Sequence, residues 1–343
     1  MSVVELGAGS SPPLTPAPPW LAAHIAALRA AHGRERLPAA LLIHEAPGAG
    51  GDWLALWTAQ LALCERPAAP CGECRSCRRV GALQHPDLGW VSPLEESRQI
   101  RIEQVRDLAA DLALTSHAGG YKVGVITPAD ALNRFAANAL LKTLEEPPAR
   151  TLLVLVAAQP SRLPTTVLSR CQRLRIAPPP RAEAVDWLEA VRGAGDWNAA
   201  LGVLGEAPMA AARADPGEIA AVGAEVQRTL AALIAAADTD PVATAEQWAR
   251  SQLPLRLLCF ENWLTERIRR AERDGAFRPE MRHARYLPGP DAFLNIRELF
   301  GLLDEVRELR ATLDVPLNRG LALEALFRRL APANRAGGGM RRG

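Results

Sequence analysis

Long apolar runs are missing from this chain of 343 residues. None approaches the roughly 18–20 consecutive apolar residues of a membrane span, so no membrane association is expected. The N-terminus lacks a basic segment followed by an apolar one, so no secretory signal is expected. Lysine is scarce and there are only two tyrosines, while Ala, Arg and Pro run high. That bias suggests a GC-rich genome more than any function. A net charge of +2 leaves no global field for nucleic acid, although a local basic face is not excluded by it. The six cysteines are not spread as a disulfide framework would spread them; four fall within Cys64–Cys77, and Cys171 and Cys259 stand alone. Such clustering fits a metal site in a reducing cytoplasm.

The length suggests two or three domains with real cores. Apolar strand-like runs at 39–43, 88–91, 121–127 and 151–157, with a weaker one at 173–176, alternate with helical patterns at 20–31, 53–63, 102–114 and 129–145. That alternation predicts an α/β domain with a parallel sheet covered on both faces. Pro178-Pro179-Pro180 then punctuates the chain, and beyond it strand signals almost vanish. The expected organisation is a flexible leader over 1–19, an α/β domain over 20–177, a small helical domain over 178–214, a larger helical domain over 215–333 and a disordered Gly/Arg tail over 334–343.

Strand, Gly/Pro turn and helix at 40–53 give the setting of a Walker A phosphate loop, G-x-x-x-x-G-K-[ST]. Gly50 stands at the second glycine, Glu45 replaces the first, Gly51 replaces the lysine and Asp52 replaces the residue that ligates Mg²⁺. Gly48 and Gly50 would let the loop bend, but the phosphate cation is gone and two acids have been added. The strand over 121–127 should end in Asp-Glu if it were a Walker B element; Thr127 and Pro128 stand there, with Asp130 three residues late. Both halves of an ATP site are dismantled, so no ATP is expected in it.

Cys64, Cys71, Cys74 and Cys77 form C-x6-C-x2-C-x2-C. Four thiolates suit tetrahedral Zn²⁺, and a Cys₄ site has no open position, so the expected role is structural. Unrelated buried cysteines and a redox dithiol are the other readings of the cluster, and the spacing favours metal over both. The stretch 138–148, Asn-Ala-Leu-Leu-Lys-Thr-Leu-Glu-Glu-Pro-Pro, reads by pattern as a packing helix with Leu140, Leu141 and Leu144 buried and Lys142 solvated. In Ser169-Arg170-Cys171 the arginine is either an exposed turn residue or a guanidinium that reaches across a subunit boundary to phosphate oxygens.

Taken in order, the altered phosphate loop, the four-cysteine insert, residues 138–148, Ser169-Arg170-Cys171 and the stretch 317–324 (Leu-Asn-Arg-Gly-Leu-Ala-Leu-Glu) resemble the clamp-loader branch of the AAA+ superfamily over roughly residues 20–330. The resemblance implies an AAA+ P-loop-type parallel-sheet domain with a zinc module over 64–77, a lid over 178–214 and an all-α collar over 215–333. It implies a stator in a heteropentamer with ATP-hydrolysing gamma/tau and with delta subunits, which loads a sliding clamp onto primed DNA in the cytoplasm. Such a chain has no ATPase of its own yet belongs to a DNA-directed DNA polymerase holoenzyme; the alternative is an ATP-hydrolysing gamma/tau-type subunit. Carried over by motif, Arg170 would be a trans-acting arginine finger supported by Ser169 and Cys171. Cys64, Cys71, Cys74 and Cys77 would hold structural zinc, and Lys142 would couple ATP sites to DNA. Asn198 stands where a nucleotide-sensing arginine would be expected.

Overall fold

A computed structural model describes residues 16–94, 97, 99–117, 119–235, 239–273, 296–313 and 318–330. The leader up to residue 15, the tail from residue 331 and Leu317 lie outside the described residues. In chain order the elements are α1 (Ala22–Gly33), β1 (Ala40–Glu45), α2 (Gly51–Leu63), α3 (Arg75–Gly81), β2 (Leu88–Val91), α4 (Ile102–Leu112) and β3 (Lys122–Ile126). There follow α5 (Arg134–Glu145), β4 (Thr151–Ala157), α6 (Thr165–Leu168), β5 (Gln172–Ile176), α7 (Arg181–Arg192), α8 (Trp197–Val203) and α9 (Pro208–Ala211). The remainder is helical: α10 (Pro216–Ile234), α11 (Pro241–Arg250), α12 (Leu253–Arg273), α13 (Ile296–Ala311) and α14 (Arg319–Leu330).

By contact the chain divides into two compact units, one holding 16–194 with Glu206–Arg213, the other Gly195–Gly205 with the residues from Ala214 onward. The first unit is built on a five-stranded sheet in the order β2-β3-β4-β1-β5, parallel throughout. This is the parallel α/β sheet domain that the sequence leads one to expect. Helices on both faces explain why β3 and β4 are buried at every position and read as unbroken apolar runs. Lys122 is the exception in composition and not in burial. Its ammonium lies 3.2 Å from Asp111 and 3.8 Å from Asp87, which gives the buried charge its partners.

The helical pattern over 129–145 is interrupted in the structure. A 3-10 turn over Ala129–Ala131 ends at Leu132, and Asn133 then caps α5 by accepting the Ala136 N–H at 2.8 Å. Asn133 is thus an N-cap in the middle of an apparently continuous pattern, and its side chain starts the helix afresh.

The second unit is all helix among its described residues. Asp215 and Asp240 cap α10 and α11 immediately before Pro216 and Pro241, the pairing of N-cap acceptor and first-turn proline that starts a helix cleanly. Trp248 meets Phe327 edge-to-face at 4.9 Å and Phe260 at 6.3 Å in the core. Beside them lies buried Arg256. Its two terminal nitrogens bond the Glu225 carboxylate at 2.8 and 3.0 Å, its Nε donates to Ser251 O, and its guanidinium lies 5.5 Å from the Trp248 ring. Removing the arginine leaves Glu225 without its partner and empties the space over Trp248. Arg256→Ala should therefore cost this unit about 3 kcal/mol, read as a lower urea midpoint; an unchanged midpoint contradicts the assignment of Arg256 as the pin of the bundle.

Candidate functional site

β1 delivers the chain into the turn 46–50, where Gly48 and Gly50 both have positive φ (73° and 108°), a conformation few other residues adopt without strain. α2 starts at Gly51, so the geometry of a phosphate loop is preserved: a glycine turn aims backbone N–H groups at the start of a helix. The anion it holds is part of the chain. Glu45 folds back so that its carboxylate accepts the Gly51 N–H at 2.6 Å. Burial, then the neighbouring Asp52 carboxylate, pushes the Glu45 carboxyl up to about 7, against the pull of the Gly51 and Gly50 N–H groups.

The rest of the loop is packed as well. A Cβ on Gly48 would fall 2.5 Å from the Ala207 Cβ, and one on Gly50 would fall 3.2 Å from Leu21 and 3.7 Å from Met209. The Gly48 carbonyl accepts from the Met209 N–H at 3.1 Å and the Ala49 carbonyl from the Trp20 indole at 2.7 Å. Thr127, at the former acidic position, donates its hydroxyl to Asp52, at the former Ser/Thr position. Where a phosphate loop and its acidic strand would share a metal ion, these two side chains bond each other. Asp130, three residues later, accepts the Gln159 N–H instead.

The four cysteines converge. The Sγ atoms of Cys64, Cys71, Cys74 and Cys77 lie within 4.8 Å of one another, with Cys71 and Cys77 at 3.9 Å. A tetrahedral site with metal–sulfur bonds of about 2.3 Å has edges of about 3.8 Å, so little movement closes this set on one ion. Backbone N–H groups of Arg66, Cys74 and Cys77 point at Cys64, Cys71 and Cys74 sulfur respectively, as they would toward thiolates. The Cys74 N–H holds the Cys71 thiol down to about 6, whereas burial pushes Cys64 and Cys77 up. The residues present fit a metal ion, and all four ligands come from the protein.

The cluster is tied to the α/β core by residues whose part the sequence pattern did not reveal. Ser76 donates to the Leu63 carbonyl at 2.6 Å, so its hydroxyl must accept from His85 Nε2 at 2.7 Å. His85 Nδ1 in turn accepts the Asp87 N–H at 3.1 Å, which requires the neutral ring; burial lowers the His85 pKa in agreement. Gln60 completes the tie by bonding the Cys77 carbonyl. Nothing short of the tertiary fold brings these residues together.

Arg170 stands elsewhere. Cys171 is buried in the core, its thiol pushed up to about 11 by burial. Ser169 ends α6 with its hydroxyl on the Thr166 carbonyl. Between them Arg170 points out, one-third exposed. The register of β1 with β5 pairs Leu41 with Gln172 and Glu45 with Ile176. Arg170 precedes β5 while the loop follows β1, so at least four strand residues, about 13 Å, separate their levels. They lie at opposite ends of two neighbouring strands, the loop at the C-terminal end of β1 and Arg170 at the N-terminal end of β5. Lys142 is exposed on α5, with no side-chain partner among the described residues.

The family model described as DNA polymerase III, delta subunit, matches residues 21–180. A DNA polymerase III subunit delta′ of Pseudomonas aeruginosa is 36% identical over 311 residues, covering 86% of this chain and 92% of that protein. The chain belongs to the DNA polymerase III delta′ family. The Escherichia coli K12 subunit delta′ is 40% identical over 172 residues, covering 50% of this chain and 52% of that protein. A Salmonella typhimurium subunit tau is 34% identical over 143 residues, covering 41% of this chain but 22% of its own length. The delta′ relative from Pseudomonas aeruginosa thus matches along almost its whole length and the tau relative along a fifth.

The charge on Glu45 makes a direct prediction. A carboxyl raised from 4.5 to about 7 on folding favours the folded state below 4.5 and loses that contribution as pH rises through 7. Glu45→Gln keeps an acceptor for the Gly51 N–H without the charge. It should stabilise the chain by about 3 kcal/mol at pH 8 and by almost nothing at pH 4.5, measured as the difference between variant and parent in urea. A destabilised variant at pH 8 contradicts the buried carboxylate.

Proposed function

We propose that this chain is the non-hydrolysing delta′ subunit of a DNA polymerase III clamp loader, a stator that completes the ATP site of a neighbour. The observation that carries the reading is the filled loop: Glu45 occupies the anion position, Ala207 and Met209 pack on the glycines, and Asp52 and Thr127 satisfy each other. Nucleotide phosphates would have to displace all three. The gamma/tau alternative needs a cation and a metal ligand in this loop, and Gly51 and Asp52 supply neither.

Arg170 is the arginine finger in this reading. Its placement at the strand ends opposite the loop supports action in trans, because the same strand polarity that carries the loop away from Arg170 leaves it open to another subunit. A guanidinium there would stabilise charge developing on a neighbour's γ-phosphate, with Ser169 and Cys171 fixing its backbone. The partners are gamma/tau and delta subunits in a heteropentamer, which acts on a sliding clamp and primed DNA in the cytoplasm. Among the described residues no helix is long and apolar enough to cross a membrane. Exposed Lys142, on the helix that follows the former Walker B strand, is the residue assigned to coupling with DNA. The metal of the Cys₄ cluster is zinc in this reading, since four thiolates in tetrahedral reach suit that ion and leave no position for catalysis. Held by Cys64, Cys71, Cys74 and Cys77, it fixes the loop between α2 and α3.

Two measurements test this. In a complex where the adjacent gamma/tau copy alone can hydrolyse ATP, Arg170→Ala should lower turnover by about 10³-fold or more, while the isolated parent chain shows no micromolar ATP affinity by equilibrium binding. Normal turnover in the variant sinks the finger, and tight ATP binding by the chain alone sinks the non-hydrolysing assignment. Elemental analysis of reduced protein should give one zinc per chain, lost together with thermal stability in Cys77→Ser; a ratio near zero refutes the zinc assignment.

A further inference from the structure

Arg170 is held across elements by one residue. Its Nη2 lies 2.7 Å from Glu145 Oε1, and its Nη1 donates to the Thr166 carbonyl at 3.0 Å and to Ser169 Oγ at 3.4 Å. Thr166 and Ser169 belong to the same short turn as Arg170, so they constrain the side chain only relative to that turn. Glu145 lies on α5, next to buried Leu144 on the helix that packs Ala136, Ala137 and Leu140 into the core. It is the tie that fixes the guanidinium relative to the sheet.

The sequence context of Glu145 argues that this contact is not there for the helix. Glu145 and Glu146 end α5, where the helix dipole disfavours negative charge. The pair is also exposed, with side-chain accessibilities of 35% for Arg170 and 51% for Glu145. Exposed ion pairs contribute little to stability. What such a pair does well is hold a long side chain, which otherwise samples many rotamers, in one orientation. Among the described residues Nε–H and the second Nη2 hydrogen have no partner, so the guanidinium is oriented without being used up.

We propose that Glu145 is the positioning residue of the arginine finger: it holds the Arg170 guanidinium at the α5–α6 junction with two donors left for a phosphate on the adjacent subunit. This rests on the finger reading given above. Glu145 touches neither nucleotide nor the reacting atoms; it acts through Arg170.

The test uses the reconstituted complex in which only the adjacent gamma/tau copy can hydrolyse ATP, with Glu145→Ala, Glu145→Gln, Arg170→Ala and the double variant. Glu145→Ala should lower kcat about tenfold with the KM for ATP unchanged, the signature of a misplaced group that acts in the transition state. Glu145→Gln, whose amide oxygen still accepts from Nη2, should recover most of the rate. On the Arg170→Ala background, Glu145→Ala should have no further effect, because the group it positions is gone. The melting temperature of Glu145→Ala should match the parent. A native or faster kcat in Glu145→Ala beside a slowed Arg170→Ala overturns the positioning role alone, as does a tenfold loss that persists on the Arg170→Ala background. A native rate for Arg170→Ala overturns the finger reading and this inference with it.

Discussion

The parallel pairing of β1 with β4 on one side and β5 on the other governs where every functional element of the α/β unit can be. Parallel strands run the same way, so the loop after β1 emerges at the C-terminal ends of the strands and the turn before β5 at their N-terminal ends. No rotamer change brings Arg170 to Glu45 across that distance. An arginine built into this position is available to another molecule and denied to its own loop. The same pairing explains why β4 is buried along its whole length and why its sequence carries no alternation to mark a face.

At the C-terminal ends of the strands, the loop has become a packing joint. Gly48 and Gly50 are still required, because the chain must still turn sharply from β1 into α2, because Ala207 leaves no space for a Cβ on Gly48 and because Leu21 crowds one on Gly50. The N–H groups that would bind phosphate still point inward and still need an acceptor, since an unpaired buried donor is costly. Glu45 supplies it. Taking a carboxylate out of water, and then placing it beside Asp52, is unfavourable in itself, and the elevated Glu45 pKa records that cost. The Thr127 hydroxyl satisfies Asp52 in the absence of any lysine or metal ligand there.

The sequence made some of this legible and hid the rest for identifiable reasons. Apolar runs located all five strands, and the four cysteines announced their cluster because its ligands are close in the chain. The break before α5 was hidden because Asn133 sits within helical periodicity, and only its hydrogen bond to Ala136 shows it to be a cap. Substitution of Glu45 and Asp52 into a phosphate loop told of a lost ligand. It could not tell that Glu45 turns inward to replace that ligand, since the direction of one side chain is a tertiary fact. The pair Glu145–Arg170 spans twenty-five residues and the relay His85–Ser76–Leu63 joins two helices and a loop, so neither leaves a local pattern. Segment 178–214 reads as one helical stretch, yet its residues belong by contact to two units.

Two groups shaped for phosphate, the loop N–H groups and the Arg170 guanidinium, are both met by a glutamate of this chain, and burial separates their fates. Glu45 is half-buried against Gly51 and Asp52, so an incoming phosphate would have to displace it and rebuild the packing of Ala207 and Met209 on the loop glycines. Glu145 meets Arg170 at the surface, in a pair of the kind that contributes about 0–1 kcal/mol, and it leaves two guanidinium hydrogens open. That pair lies at the surface, and among the described residues its two open hydrogens face nothing packed that would have to move. The difference between a closed site and an open one is therefore set less by which residues face phosphate than by how much structure lies on top of the acid that already occupies its place.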